Sequence, residues 1–122
     1  MKRILVAALI VLLAISMTAY GQSSVKPIKI GLTTVLTGDR SLEGEYATNG
    51  AKIIQQEIND AGGVLGRPIQ IVIEDALGTD VGAVNAYRKL ANDPEIVAII
   101  GSDSSNENIA ISSTAMELQI PT

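Results

Sequence analysis

The 122-residue sequence has no cysteine, no histidine, no phenylalanine and no tryptophan, and only three tyrosines. Each absence removes a class of chemistry. Without cysteine there is no disulfide framework, no thiolate nucleophile and no lipid attachment to an N-terminal cysteine. Without histidine there is no Ser-His-Asp triad, and any metal would be a hard, oxygen-bound ion. Basic residues are scarce as well, nine against thirteen acidic ones, for a net charge of −4. They form no cluster of the kind that binds phosphate, which argues against nucleic acid and anionic membrane as partners. No two carboxylates pair as an acid and a base, and no serine stands beside a base. The sequence therefore reads as a non-enzyme with no cofactor.

Apolar residues make up 47% of the chain, and they are unevenly spread. Sixteen fall within residues 1–21, where a basic start, Met1-Lys2-Arg3, precedes a twelve-residue aliphatic run from Ile4 to Ile15. A spanning helix needs roughly 20 apolar residues. This run stops short and is followed by small residues, with Ala19 and Gly21 at the minus-three and minus-one places of a signal-peptidase site. Residues 1–21 are read as a secretory signal, the alternative being an uncleaved anchor. Removing them takes away Lys2 and Arg3 and leaves a net charge of −6.

Residues 22–27 form a polar linker, after which regular patterns begin. Ile28-Lys29-Ile30-Gly31-Leu32 alternates as a strand, Ile69 to Ile73 is a β-branched run, and Ile96 to Ile100 is apolar throughout. Ile120-Pro121-Thr122 has the look of a fourth strand opening. Between them the period lengthens. Ala47, Ala51, Ile54 and Ile58 make one stripe of a helix over Glu45–Asp60, stopped by Gly62-Gly63. Ala83, Tyr87 and Leu90 mark a second helix over Asp80–Asn92, with Asp80 as its N-cap. A third, over Asn106–Leu118, would turn Ile109, Ser112, Ser113 and Met116 inward. Single helices between strands require parallel pairing and right-handed crossovers, so the fold class is α/β with a doubly wound parallel sheet.

Ligands of such a sheet sit outside the carboxyl ends of its strands. Three stretches qualify: Thr33–Glu43, Asp75–Thr79 and Gly101–Asn106. In the last, Ser104 or Ser105 falls at the N-cap of the third helix. A helix N-terminus carries unpaired N–H groups and partial positive charge, so a serine there either caps the helix or helps receive a carboxylate or phosphate. Thr33–Glu43 lacks the glycine spacing of a dinucleotide turn and any P-loop lysine. Its hydroxyls either meet a polar ligand or, with Thr37, Gly38 and Asp39, serve local turn formation. Asp75 either orients a ligand ammonium or caps a loop.

With these segments in place, the sequence resembles the N-terminal part of a periplasmic substrate-binding protein of the branched-chain amino acid type, the type 1 periplasmic binding fold. The resemblance rests on Ile28-Lys29-Ile30-Gly31, Leu36-Thr37-Gly38, Asn49-Gly50-Ala51 and above all the run Glu57 to Ile69. Glu74-Asp75, Arg88-Lys89-Leu90, Ile99-Ile100-Gly101 and Ser104-Ser105 continue it. It implies that residues 28–122 are an incomplete first lobe of a two-lobed protein, cut within its fourth strand. It also implies a monomer in the periplasm that captures an amino acid or amide for the membrane permease of an ABC transporter. A ligand-sensing ectodomain using the same lobe is the alternative. Matched to the family, the ligand-contacting serine is Ser105, with Ser104 beside it. The leucine/isoleucine/valine-binding members carry an aromatic pocket wall where this chain has Glu43. Turned inward, that carboxylate would disfavour a purely aliphatic ligand, because an unpaired buried charge is costly. It would otherwise pair with an ammonium or guanidinium, or face water.

Overall fold

The computed structural model describes residues 25–122, so the signal segment and the start of the linker lie outside the described residues. Strands β1 (Ile28–Thr34), β2 (Ile69–Asp75) and β3 (Ile96–Ile100) alternate with helices α1 (Ser41–Asp60), α2 (Asp80–Ala91) and α3 (Ser105–Leu118). The strands are parallel in the order β2-β1-β3. β1 and β2 pair without interruption from Ile28 opposite Ile69 to Thr34 opposite Asp75. β1 and β3 slip once, between Lys29 opposite Ile96 and Ile30 opposite Ala98. The α/β class and the parallel sheet expected from the sequence are both present. Of the expected fourth strand there is one backbone bond, from the Ile99 amide to the Pro121 carbonyl at 2.9 Å.

The helices divide between the two faces. α2 and α3 pack on each other, while α1 meets only β1 and β2. Right-handed crossovers produce this split, since β1 to β2 steps one way along the sheet and β2 to β3 steps back past β1. The α2/α3 face holds the core, built from Val35, Ala83, Tyr87, Leu90, Ile99 and Ile111 among others. Gly31 lies beneath it, and a Cβ there would come within 3.0 Å of both Leu90 and Ile99. On the opposite face α1 protects the open edge of β2. The Gln55 and Asn59 side chains accept from the Ile71 and Ile69 amides at 2.6 and 2.7 Å. Edge donors that would otherwise invite a foreign strand are thereby satisfied within the chain.

Several sequence expectations shift by a few residues. α1 starts at Ser41, not Glu45, because Gly44 lets the helix come close under the end of β1. Along its expected stripe Ala47, Ala51 and Ile58 are half-buried and Ile54 stays exposed. The N-cap of α2 is Thr79, whose hydroxyl accepts from the Gly82 amide at 3.0 Å; Asp80 is the first helical residue, where its charge suits the helix dipole. α3 turns a different face inward. Ile111 and Thr114 are buried, with Ala115 and Leu118 packed beside the core, while Ile109 and Met116 are 72% and 75% exposed and Ser112 and Ser113 also face outward. Docking on α2 and the burial of Glu107 set that rotation, and hydropathy alone carries neither.

Candidate functional site

β1 and β3 are neighbours, yet their outgoing helices lie on opposite faces. The segments leaving their carboxyl ends therefore diverge and open a crevice between them, the position at which ligands of doubly wound sheets bind. One wall is Val35–Arg40. These six residues, rather than eleven, connect β1 to α1, so Glu43 belongs to the first turn of α1, with its side chain exposed. The other wall is Gly101–Ser104 and the N-terminus of α3.

The second wall is closely tied to its helix. The Asn108 side chain accepts from the Ser102 amide at 2.9 Å and donates to the Ser102 carbonyl at 2.7 Å. Gly101 makes room for this staple, since a Cβ there would lie 2.4 Å from Asn108 Oδ1. Ser104 occupies the N-cap with extended backbone, but its hydroxyl makes no capping bond. Ser105 is the first helical residue and is exposed. The two serines thus stand at the α3 N-terminus, where a helix leaves the amides of its first turn unpaired.

Asp75 ends β2 and serves the first wall from the side. One oxygen accepts from the Leu36 and Leu77 amides, both at 2.9 Å, and the other from the Thr37 hydroxyl at 2.7 Å. Partial burial pushes its carboxyl up, but the bonds from Thr37, Leu77 and Leu36 outweigh that and hold it below the ordinary carboxylate value. Asp75 therefore ties the loops after β1 and β2 together.

Arg40 spans the crevice. Its Nη2 is 3.0 Å from Asp103 Oδ2 and its Nη1 is 3.4 Å from Glu107 Oε1. Glu107, in the first turn of α3, is buried, and its second oxygen is hydrogen-bonded to the Ser102 hydroxyl. The same hydroxyl lies 3.1 Å from Asp103 Oδ1 and accepts from the Ser104 amide at 3.2 Å. Sequence reasoning missed Arg40, Ser102, Asp103 and Glu107. One signal was available, because Ser104-Ser105-Asn106-Glu107 has the S-x-x-E spacing of a capping box. Here the glutamate reaches back to Ser102 instead of the cap residue's own amide. Nothing local marked Arg40.

Beside the crevice, between α1 and the exposed side of β3, lies a mainly apolar cavity of about 510 Å³ whose lining includes Leu32, Thr34, Ala51, Ile54 and Ile100. The Thr34 hydroxyl is buried there without a hydrogen-bond partner among the described residues. No group of His, Cys, Asp and Glu among the described residues is arranged to hold a metal ion, and no described helix is long and apolar enough to cross a membrane.

Residues 27–122 match the family model described as periplasmic binding protein. The Leu/Ile/Val-binding protein BraC3 of Rhizobium johnstonii is 33% identical over 90 residues, which cover 74% of this chain and 24% of that protein. The branched-chain amino acid transporter substrate binding protein LivJ from Streptococcus pneumoniae, solved in complex with isoleucine, superposes with a TM-score of 0.73 at 28% identity. The match covers 79% of this chain and 28% of that one. A fatty acid ABC transporter substrate-binding protein from Thermomonospora curvata gives 0.70 at 30% identity, over 78% of this chain and 24% of that one. The chain spans about a quarter of the length of the curated relatives it matches.

Proposed function

The chain belongs to the periplasmic binding protein family, and on that premise we propose that it supplies the first lobe of a solute-binding component that captures an amino acid or related small polar ligand for an ABC importer. Periplasmic location follows from the family; export by residues 1–21 and cleavage after Gly21 are part of the proposal. So are its domain limits, with residues 28–122 forming part of the first lobe, and its action as a monomer that delivers ligand to a membrane permease. The short coverage of the relatives supports the idea that a second lobe closes over this crevice.

The observation that carries this reading is the pair Ser104 and Ser105 at the N-terminus of α3, beside the crevice where the strand order reverses. Their hydroxyls and the first-turn amides receive the ligand carboxylate, and the partial positive charge of the helix end favours it. The exposed Glu43 carboxylate takes the ligand ammonium. Asp75, at the carboxyl end of β2, helps orient that ammonium while it holds the two loops it joins. The relatives' names span branched-chain amino acids and a fatty acid, so family membership leaves the ligand open, and Glu43 tilts it toward a polar amino acid or amide. The test is to titrate the protein encoded by the complete reading frame with the twenty amino acids and their amides, using a saturated fatty acid as comparison. Micromolar or tighter binding of one amino acid or amide is expected. Binding of the fatty acid alone would overturn the ligand class.

A further inference from the structure

We propose that Glu107 and Arg40 are positioning residues that clasp the two walls of the crevice and hold Ser105 in place for the ligand. The proposal rests on the ligand-binding reading above and adds a device to the same site. Arg40 stands just before α1, on the wall that follows β1. Its two terminal nitrogens meet two carboxylates of the opposite wall, Asp103 from the loop and Glu107 from the helix. Glu107 passes the restraint on. Its free oxygen holds the Ser102 hydroxyl, and that hydroxyl holds the Ser104 amide, one residue before Ser105. A chain of polar contacts thus runs from the base of α1 to the backbone of the N-cap serine. Between segments that diverge to opposite faces, these side chains supply the tie.

The cost of the arrangement marks it as more than surface decoration. The Glu107 side chain is 2% exposed. A carboxylate in such a place needs both a counter-charge and further hydrogen bonds, whereas an apolar residue would fill the same volume with no such requirement. Arg40 suits the task because its planar fork reaches two carboxylates in fixed directions, which a lysine ammonium does not do. With the clasp closed, both walls are set before a ligand arrives, and less ordering is left to be done on binding.

The experiment uses the protein encoded by the complete reading frame. The probe is whichever of the twenty amino acids the unaltered protein binds most tightly. Affinity and backbone hydrogen exchange are measured for Glu107→Gln, Arg40→Gln, Arg40→Lys, Ser105→Ala and the Glu107→Gln/Ser105→Ala pair. Glu107→Gln should weaken binding roughly tenfold and speed exchange at residues 101–105 without changing exchange in β1 or α2. Arg40→Gln should do the same, and Arg40→Lys should do so in part. In the Ser105→Ala background, Glu107→Gln should cost clearly less affinity than it does in the unaltered protein. Wild-type affinity together with unchanged exchange in Glu107→Gln would overturn the clasp, and so would a loss that adds in full to that of Ser105→Ala. Should Glu107→Gln fail to fold, the Arg40 variants carry the same comparison. If Ser105→Ala binds like wild type, the ligand-binding role of that serine fails, while the exchange measurement still decides whether the clasp holds the wall.

Discussion

The backbone carbonyl of Val35 lies so close over Gly44 that a Cβ at position 44 would sit 1.7 Å from its oxygen. Two backbone segments meet here, the exit of β1 and the first turn of α1, and neither is a flexible side chain that can swing aside. Gly44→Ala must therefore push α1 away from the sheet and disturb the Val35–Arg40 wall with it. The expected loss is roughly 3 kcal/mol, at the upper end for overpacking. Urea unfolding of the altered protein would read it, and an unchanged midpoint would mean that α1 does not approach β1 this closely.

The N-cap of α2 provides a second, milder test. Thr79 Oγ1 accepts the Gly82 amide bond, so Thr79→Ala should cost about 1 kcal/mol. Asp80→Ala should cost less, because Asp80 contributes only charge to the first turn, about 0.3–1 kcal/mol at low salt. Paired thermal melts at low and high ionic strength separate the two, since only the Asp80 effect should fade with salt. The reverse order would restore Asp80 as the cap.

Such local differences show what was legible in the sequence. The alternation of Ile28–Leu32 and the aliphatic runs of β2 and β3 could be read because strand burial leaves a hydropathy pattern, and their order with single helices between them fixed the parallel, doubly wound class. The start of α1 could not be read the same way, because its buried residue is Gly44, which has no side chain to register. The inward face of α3 was misread for a related reason: it carries Glu107 and Thr114, while the large apolar residues Ile109 and Met116 point to solvent. In the site, Ser104, Ser105 and Asp75 could be singled out as candidates because position after a strand end selects them, and the structure places all three at strand ends or the helix start that follows. The contact of Arg40 with Glu107 joins residues 67 positions apart, and a lone arginine in a loop gives no local sign of its partner.

The amino end of the sheet gives a pH prediction. Lys26 and Lys29 lie 2.5 and 2.6 Å from the Glu95 carboxylate and hold its pKa down to about 2, against 4.5 in a free side chain. A carboxyl whose folded-state pKa is depressed adds stability that is complete above the free value and is lost as pH falls through the folded one. The Glu95 contribution should therefore disappear between about pH 4.5 and pH 2. Lys29, raised by its bonds to Glu95 and Asp93, adds stability that is present below pH 10.5 and lost as pH rises through its higher folded-state value. In Glu95→Gln the acid limb of stability against pH should flatten within that window, and high salt should shrink the difference, since the groups are partly exposed. An identical acid limb in the two proteins would show that the lysines do not hold this carboxylate.

The central claim, ligand capture at the N-terminus of α3, is tested most directly by calorimetric titration of Ser105→Ala beside the unaltered protein, with the amino acid or amide that the latter binds most tightly. A hydrogen bond to a charged group is worth about 1.5–3 kcal/mol, so the substitution should weaken binding roughly ten- to a hundredfold. The exposed Ser105 side chain packs against nothing in the core, so the melting temperature without ligand should stay the same. Unchanged affinity with a lowered melting temperature would contradict the account and leave Ser105 as part of the helix start alone.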